Sequence, residues 1–315
     1  MMTKILLTGK NGQVGWELLR TLTPLGHIVA VDRDDVDLTN LASLREYLRC
    51  LDSLALIVNP AAYTAVDQAE DEPTIAKAVN TDAAALLAEE SNRLGIPMIH
   101  YSTDYIFDGT KETPYFETDI ASPLGVYGQT KWDGEIAVSY LNPRHLILRL
   151  CWVYGNRGRN FFLTMLRLAK QQITPRVVCD QFGSPTWCRM VAEATALIAA
   201  QILRNPHNDN RWGTYHLAAT NSTHWHEFAS AIFRFANEKY SLDNPLPTAI
   251  LSSEYPTKAQ RPNFSHLSVE KVAETFGVRL PGWREQLKLV CEECPWLSPE
   301  NNSPFFPFPI PEKRS

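Results

Sequence analysis

The chain has 315 residues, enough for about two domains or one large domain carrying a lobe. With 44% hydrophobic residues, 21% charged residues and a net charge of −5, it reads as an ordinary globular chain without the broad basic face that nucleic-acid binding needs. Its 21 prolines against 15 glycines exclude a collagen or a Gly/Ser linker architecture.

Lys4-Ile5-Leu6-Leu7-Thr8 predicts a short buried strand, Gln13 to Leu22 a helix, and His27 to Val31 a second strand. A helix over Leu41 to Leu51, a strand over Leu54 to Val58 and a long alanine-rich helix from Thr74 to Leu94 follow, the last closed by Gly95. Pro97 to Tyr101 reads as a fourth strand, Gly128 to Leu141 as a helix and His145 to Leu150 as a fifth strand. Strands that are continuous apolar runs are covered on both faces, so the expected fold is α/β, a doubly wound, Rossmann-type parallel sheet with right-handed crossovers.

Beyond residue 150 the rhythm loosens. Helices are expected over Phe161 to Lys170, Val191 to Leu203, Trp225 to Asn237 and Val269 to Thr275, and short strands at Val177-Val178 and Tyr215 to Leu217. Residues 205–210 and 243–247 carry loop composition. The expected division is a dinucleotide-binding domain over 1–150, a smaller, mostly helical substrate lobe over 151–294 that is partly threaded back into the first, and a proline-rich extension over 295–315. Six of the 21 prolines fall from Pro295 onward, so the excess belongs to this extension.

No apolar run reaches the ~20 residues of a membrane span. The longest, Val191 to Leu203, is interrupted by Glu193, Thr195 and Gln201. Ile5-Leu6-Leu7 is too short for a signal-peptide core. Among six cysteines only Cys291-x-x-Cys294 is a close pair, and no second ligand pair accompanies it. The expectation is a cytoplasmic protein with reduced thiols, no membrane association and no nucleic-acid partner.

The first strand runs into Thr8-Gly9-Lys10-Asn11-Gly12-Gln13-Val14-Gly15 just before a helix. Gly9 permits a tight turn, Gly12 lets a pyrophosphate approach backbone N–H groups, and Gly15 lets helix and strand pack closely. Asp32 ends the second strand, where an acid hydrogen-bonds the adenine ribose 2′-OH; Arg33 follows and could accept a 2′-phosphate instead. The cofactor is therefore NADPH or NADH. Asp37-Leu38 are placed to flank the adenine, and Ala61-Ala62-Tyr63-Thr64 follow the third strand with small residues suited to close approach.

The fourth strand runs into Ser102-Thr103-Asp104-Tyr105, at the carboxyl end where open α/β sheets bind ligands. Tyr127 is the single one of the 11 tyrosines with a lysine four residues on, Lys131. That spacing puts both on one helix face. The ammonium is expected to lower the phenol pKa and make Tyr127 a usable general acid.

Gly9-x-x-Gly12-x-x-Gly15, Ser102-Thr103 and Tyr127-x-x-x-Lys131 together resemble the extended short-chain dehydrogenase/reductases, which use a Ser/Thr–Tyr–Lys triad on a nicotinamide cofactor. The run Gly9 to Glu17, His100 to Phe107, Trp152-Val-Tyr154, Asp180 to Thr186 and Arg261-Pro262 resemble the dTDP-4-dehydrorhamnose reductase family within it, over residues 4 to 295. The resemblance implies NAD(P)H-dependent reduction of a C4 keto group on a nucleotide sugar. It implies Gly12-Gln13-Val14, Asp32, Asp37-Leu38 and Ala61 to Thr64 as cofactor contacts. Tyr127 would be the acid, and Lys131 its helper and the holder of the nicotinamide ribose. Thr103 would bond the C4 carbonyl oxygen, Asp104 and Trp152 would contact the sugar, and Arg261 would meet the nucleotide diphosphate.

Some members of that family dimerise through a magnesium ion held by carboxylates. Glu17 matches one ligand position, but Arg189 stands where a second carboxylate would align. An arginine repels a cation, which puts Mg2+ in doubt, leaves a homodimer open and makes a Glu17–Arg189 pair the expectation. The adjacent His224-Trp225-His226 run has i, i+2 spacing and reads as a helix start, not a metal site. Two rivals stay open. One is an epimerase or dehydratase of the same superfamily, disfavoured because Asp104 is followed by Tyr105 and not by Glu. The other is a catalytically silent nucleotide-sensing subunit, disfavoured by the intact Thr103, Tyr127 and Lys131.

Overall fold

The computed structural model describes residues 3–205 and 209–294. In chain order its first half comprises β1 (Lys4–Leu7), α1 (Gln13–Thr21), β2 (His27–Ala30), α2 (Leu41–Cys50), β3 (Leu54–Asn59), α3 (Val66–Ala69), α4 (Pro73–Lys77), α5 (Ala83–Arg93), β4 (Met98–Thr103), α6 (Val126–Leu141) and β5 (His145–Leu150). The second half adds β6 (Val153–Tyr154), α7 (Phe161–Lys170), β7 (Arg176–Val178), β8 (Phe182–Gly183), β9 (Thr186–Trp187) and α8 (Cys188–Arg204). It ends with β10 (Gly213–His216), β11 (Thr223–His224), α9 (Trp225–Tyr240), β12 (Thr248–Ile250), α10 (Glu270–Phe276) and α11 (Trp283–Glu293).

Six strands form one parallel sheet in the order β10-β5-β4-β3-β1-β2. This is the Rossmann-type doubly wound fold expected from the apolar runs. Period-two alternation assigns side chains to its faces. Ile5 and Leu7 point to a core shared with α1 and α8 through Leu18, Val191 and Ile198, and Leu6 points to the opposite core with Leu44, Leu87 and Val138. A third core, with Phe162, Trp187, Phe228, Ile232 and Leu287, lies under α7, α9 and α11. The chain returns from this lobe to place β10 beside β5, with Thr214 opposite Ile147.

The long helix expected over Thr74 to Leu94 is broken. Between α4 and α5, Ala78–Asp82 form a π-helical turn. The cause is Asn80. Its fully buried amide accepts from Tyr63 N at 2.9 Å and donates to Thr130 Oγ1 at 3.1 Å. A Cβ on Gly134 of α6 would come within 2.2 Å of the Asn80 carbonyl. The helix widens to deliver this side chain behind the loop after β3, a use of π-turns common near functional sites.

The helix α11 was not anticipated, although Trp283, Leu287 and Val290 bury one face at i, i+4, i+7. The pairings β6–β9, β7–β12 and β8–β11 are two or three residues long, too short for a period to register. The loop at 243–247 is as expected, and the proline-rich extension lies outside the described residues. Among the described residues no helix is long and apolar enough to cross a membrane. The six cysteines form no disulfide among the described residues, and four of them are buried.

Candidate active site

The carboxyl ends of β1 to β5 open on a cavity of 1090 Å³ that extends to α7 and α9. Its first wall is made by backbone. Gly9 sits in the left-handed region at φ +61, and a Cβ there would lie 3.0 Å from Ala61 Cα. On Gly15 a Cβ would lie 2.0 Å from the Gly9 carbonyl oxygen. At Gly12 the nearest atom is at 3.3 Å, so the fold itself barely requires that glycine. Its bare face lines the cavity at the start of α1, where no side chain caps the helix. That cradle fits a pyrophosphate.

Gln13, Val14, Asp32, Arg33, Asp37 and Leu38 also line the cavity, as do Ala61, Ala62, Tyr63 and Thr64. Asp32 is tied to the glycine loop, accepting from Asn11 N at 2.8 Å and from Arg33 N at 2.7 Å. Asp37 accepts from Thr39 N and Oγ1, which hold its carboxyl below the usual range.

The helix α6 carries Tyr127 and Lys131 to the end of β4. It is fixed there by a buried ion pair between Glu135 and Arg149 of β5, at 2.8 Å. It is also held by the close approach of Gly128 to the Tyr105 carbonyl, where a Cβ would fall at 2.2 Å. Thr103 accepts from Tyr105 N at 3.2 Å and donates to Asp104 Oδ1 at 3.2 Å. Asp104 is buried, accepts from Ser265 Oγ at 2.5 Å and from Cys151 Sγ at 3.1 Å, and is pushed up to about 6 by desolvation. Ser102 Oγ lines the cavity region buried and without a hydrogen-bond partner among the described residues. A bound ligand would satisfy it.

The expected lowering of the Tyr127 phenol does not hold. Although the residue keeps some contact with solvent, desolvation of the phenol pushes it up to about 12, outweighing the lowering effect of the nearby Thr103 hydroxyl. The Lys131 ammonium is spent elsewhere. It donates to the Tyr101 carbonyl at 2.6 Å and lies 3.5 Å from His100 Nε2. Burial drops its own pKa to about 8. His100 in turn lies 3.1 Å from Asn59 Nδ2, and Thr8 bonds Asn59 at 2.5 Å, so a buried polar chain joins the glycine-loop strand to Lys131.

The opposite wall is aromatic. Trp152 has φ +45, an uncommon backbone state for a bulky residue, and its indole stacks on Trp225 at 3.6 Å between centroids and 7° between planes. A Cβ on Gly183 would lie 2.5 Å from the same indole. Phe161 tilts against Trp225 at 4.6 Å. Trp225, Phe161, Arg159 and Asn160 line the cavity and were not singled out from sequence as site residues. The His224 ring caps α9, accepting from Glu227 N at 3.2 Å, and no group of metal-ligating side chains occurs among the described residues.

Two expected substrate residues are otherwise engaged. Arg261 does not line the cavity, and its guanidinium clasps Asp67 at 2.7 and 3.2 Å. Asp104 does line it, with both carboxyl oxygens already accepting protein hydrogen bonds. Glu17 meets Arg189 at 3.2 Å, and Arg189 also pairs with Glu293. A guanidinium between these two carboxylates does not fit a magnesium site.

The family model for the RmlD substrate binding domain matches residues 2–295. A dTDP-4-dehydrorhamnose reductase of Burkholderia thailandensis is 44% identical over 289 residues, 89% of this chain and 95% of its own. That of Salmonella typhimurium is 42% identical over 294 residues, 92% and 97% of the two chains. Among solved structures, a dTDP-4-dehydrorhamnose reductase of Clostridium acetobutylicum aligns with a TM-score of 0.83 at 32% identity over 92% of this chain and 99% of that one. A Bacillus anthracis reductase in complex with NADP aligns equally, TM-score 0.83 and 32% identity, over 93% and 100%. A UDP-glucose 4-epimerase of Thermotoga maritima, 18% identical with a TM-score of 0.75, shares the fold. On the match to the family model and on these identities, the chain belongs to the dTDP-4-dehydrorhamnose reductase family.

Proposed function

We propose that this chain reduces the C4 keto group of dTDP-4-dehydro-L-rhamnose to give dTDP-L-rhamnose, with NADPH as the preferred reductant. The observation that carries the reading is that Thr103, Tyr127 and Lys131 line the same cavity as the glycine cradle. Residues 1–150 would hold the dinucleotide and residues 151–294 the sugar nucleotide, in the cytoplasm where both pools are kept. Arg33, beside Asp32 on the cavity wall, is the group that would meet a 2′-phosphate.

Gly9, Gly12 and Gly15, with the N–H groups of Gln13 and Val14, would hold the cofactor pyrophosphate. Asp37 and Leu38 would flank the adenine, and Ala61 to Thr64 would lie along the ribose and pyrophosphate. When bound, the reduced nicotinamide supplies the hydride.

Tyr127 keeps its proton at neutral pH, since burial holds the phenol near 12, and donates it to the C4 oxygen as that oxygen gains charge. Thr103 turns its hydroxyl proton from Asp104 to the same oxygen. Lys131 stays protonated below about 8 and orients the ribose side of the site. The Trp152–Trp225 plate and Asp104 would bound the sugar.

The test is cofactor oxidation with this keto sugar, run with NADPH and with NADH. Turnover, faster with NADPH, is expected. A folded chain that binds NADPH but never oxidises it with this substrate would move the reading to a nucleotide-sensing subunit.

A further inference from the structure

A nucleotide sugar brings a diphosphate into the cavity, and its charge calls for a cation on the substrate side. Three cationic side chains line the cavity: Arg33, Lys131 and Arg159. Arg33 stands at the end of β2, next to Asp32. Lys131 is buried and bonded to the Tyr101 carbonyl. Arg261 is clasped by Asp67 outside the lining. Arg159, two residues before Phe161 and exposed, lines the cavity just ahead of α7, and its side chain has no hydrogen bond or ion pair among the described residues.

The loop that carries Arg159 is built to hold it there. Arg157 lies over the Trp16 ring of α1 at 3.3 Å, and Arg20 lies over that ring at 3.5 Å. Two guanidiniums cannot share one face at those distances, so they sandwich the indole. Asn160 Nδ2 donates to Gln13 Oε1 at 2.8 Å and to the Gly155 carbonyl at 2.9 Å, and its Oδ1 caps α7 at Leu163 N. Gly158, at φ +70, turns the chain over Gln13. Both neighbours of the Gly158–Arg159 tip are thus anchored to α1, and the tip's one long side chain is left to the cavity.

We infer that Arg159 is the diphosphate-binding residue for the nucleotide sugar. Two diphosphates share this chemistry, that of the cofactor and that of the substrate. The cofactor's already has the glycine cradle and the first turn of α1, so the geometry assigns Arg159 to the substrate's. A guanidinium offers the planar fork that a phosphate accepts bidentately. The inference rests on the proposed nucleotide-sugar reading.

The test is calorimetric titration of the full chain with thymidine diphosphate, thymidine and NADPH, for the natural sequence, Arg159→Ala and Arg159→Lys. Expected is a loss of thymidine diphosphate affinity of about 10- to 100-fold in Arg159→Ala, a smaller loss in Arg159→Lys, and unchanged thymidine and NADPH binding. Unchanged thymidine diphosphate binding in Arg159→Ala would overturn the inference alone. Loss of NADPH affinity instead would give Arg159 to the cofactor and overturn the assignment. Failure of the natural chain to bind thymidine diphosphate, with NADPH bound normally, would overturn both this inference and the function it rests on.

Discussion

The two walls of the cavity are made by different means. On the wall proposed for the cofactor the determinant is backbone: Gly9 and Gly15 stand where a Cβ would come within 3.0 and 2.0 Å of main-chain atoms, and the wall is formed by the ends of β1, β2 and β3. On the wall proposed for the substrate the determinant is side chains from distant positions, with Trp152, Phe161, Gly183 and Trp225 brought into one plate by short strand pairs and two helices. A backbone wall resists substitution at Gly9 and Gly15 and leaves little to tune. A plate of side chains can be reshaped one residue at a time, and that is where selectivity for the sugar would reside.

Tyr127 and Lys131, the proposed catalytic pair, line the same cavity from α6, so loss of the phenol should spare both walls. Tyr127→Phe should cut kcat by about a thousandfold, within the usual range for a general acid, while NADPH titration remains normal. Near-normal turnover in that variant would remove Tyr127 from the acid role. Next in size is the backbone wall itself. Gly15→Ala forces a methyl to 2.0 Å from the Gly9 oxygen, and the loop must move. A cost of about 1–3 kcal/mol in thermal or denaturant unfolding is expected, together with weakened NADPH binding. A folded Gly15→Ala protein of unchanged stability and cofactor affinity would show that the first wall is as pliable as the second.

The difference between the walls also explains what could be read from sequence. The glycine triplet and Tyr127-x-x-x-Lys131 are local patterns whose geometry follows from the strand and helix that carry them. The sheet was legible for the same reason. Local spacing says nothing of desolvation, so it suggested a lowered Tyr127 phenol where burial raises it. Nor does it see that Lys131 is bonded to the Tyr101 carbonyl. The π-turn at Ala78–Asp82 depends on Asn80 meeting Tyr63 and Thr130, contacts with no trace in a helical period. Trp225 joined the site only through the fold. In sequence it belonged to a helix start, and a stacking partner for Trp152 has no linear signature.

Two further experiments probe each side more gently. Gly183→Ala presses on the Trp152 indole, where the added carbon would meet Cε2 at 2.5 Å. Expected is a rise of about tenfold in KM for the nucleotide sugar, equivalent to about 1.4 kcal/mol, with NADPH affinity unchanged. A changed near-UV circular dichroism band from the stacked indoles should accompany it. A loss confined to kcat would separate Trp152 from substrate binding. At the proposed catalytic centre, burial depresses the Lys131 pKa to about 8, so its ammonium is lost as pH rises through that value. The kcat/KM of the natural chain should fall about tenfold per pH unit above it. Lys131→Arg, which stays charged, should move that alkaline limb upward, and an unmoved limb would assign it to another group.

The smallest effect belongs outside the cavity, at the outer end of α8. Arg189 there lies between Glu17 of α1 and Glu293 of α11, with Glu193 close enough for its carboxyl to be raised by burial and by Glu293 and Glu17. These carboxylates do not form a metal-ligating group among the described residues, and the Arg189 guanidinium supplies the positive charge between Glu17 and Glu293. The pair is one-third exposed on the arginine side, so solvent screens it and Arg189→Ala should cost about 1 kcal/mol at most. The sharper consequence concerns metal. If the arginine serves as the cation, gel filtration of the natural chain should give the same elution with magnesium and with a chelator. Arg189→Glu, which leaves the carboxylates uncompensated, should become sensitive to magnesium in thermal unfolding. Dissociation of the natural chain by chelator would show that an ion is held despite the guanidinium, and the Glu17–Arg189 pair would lose its role.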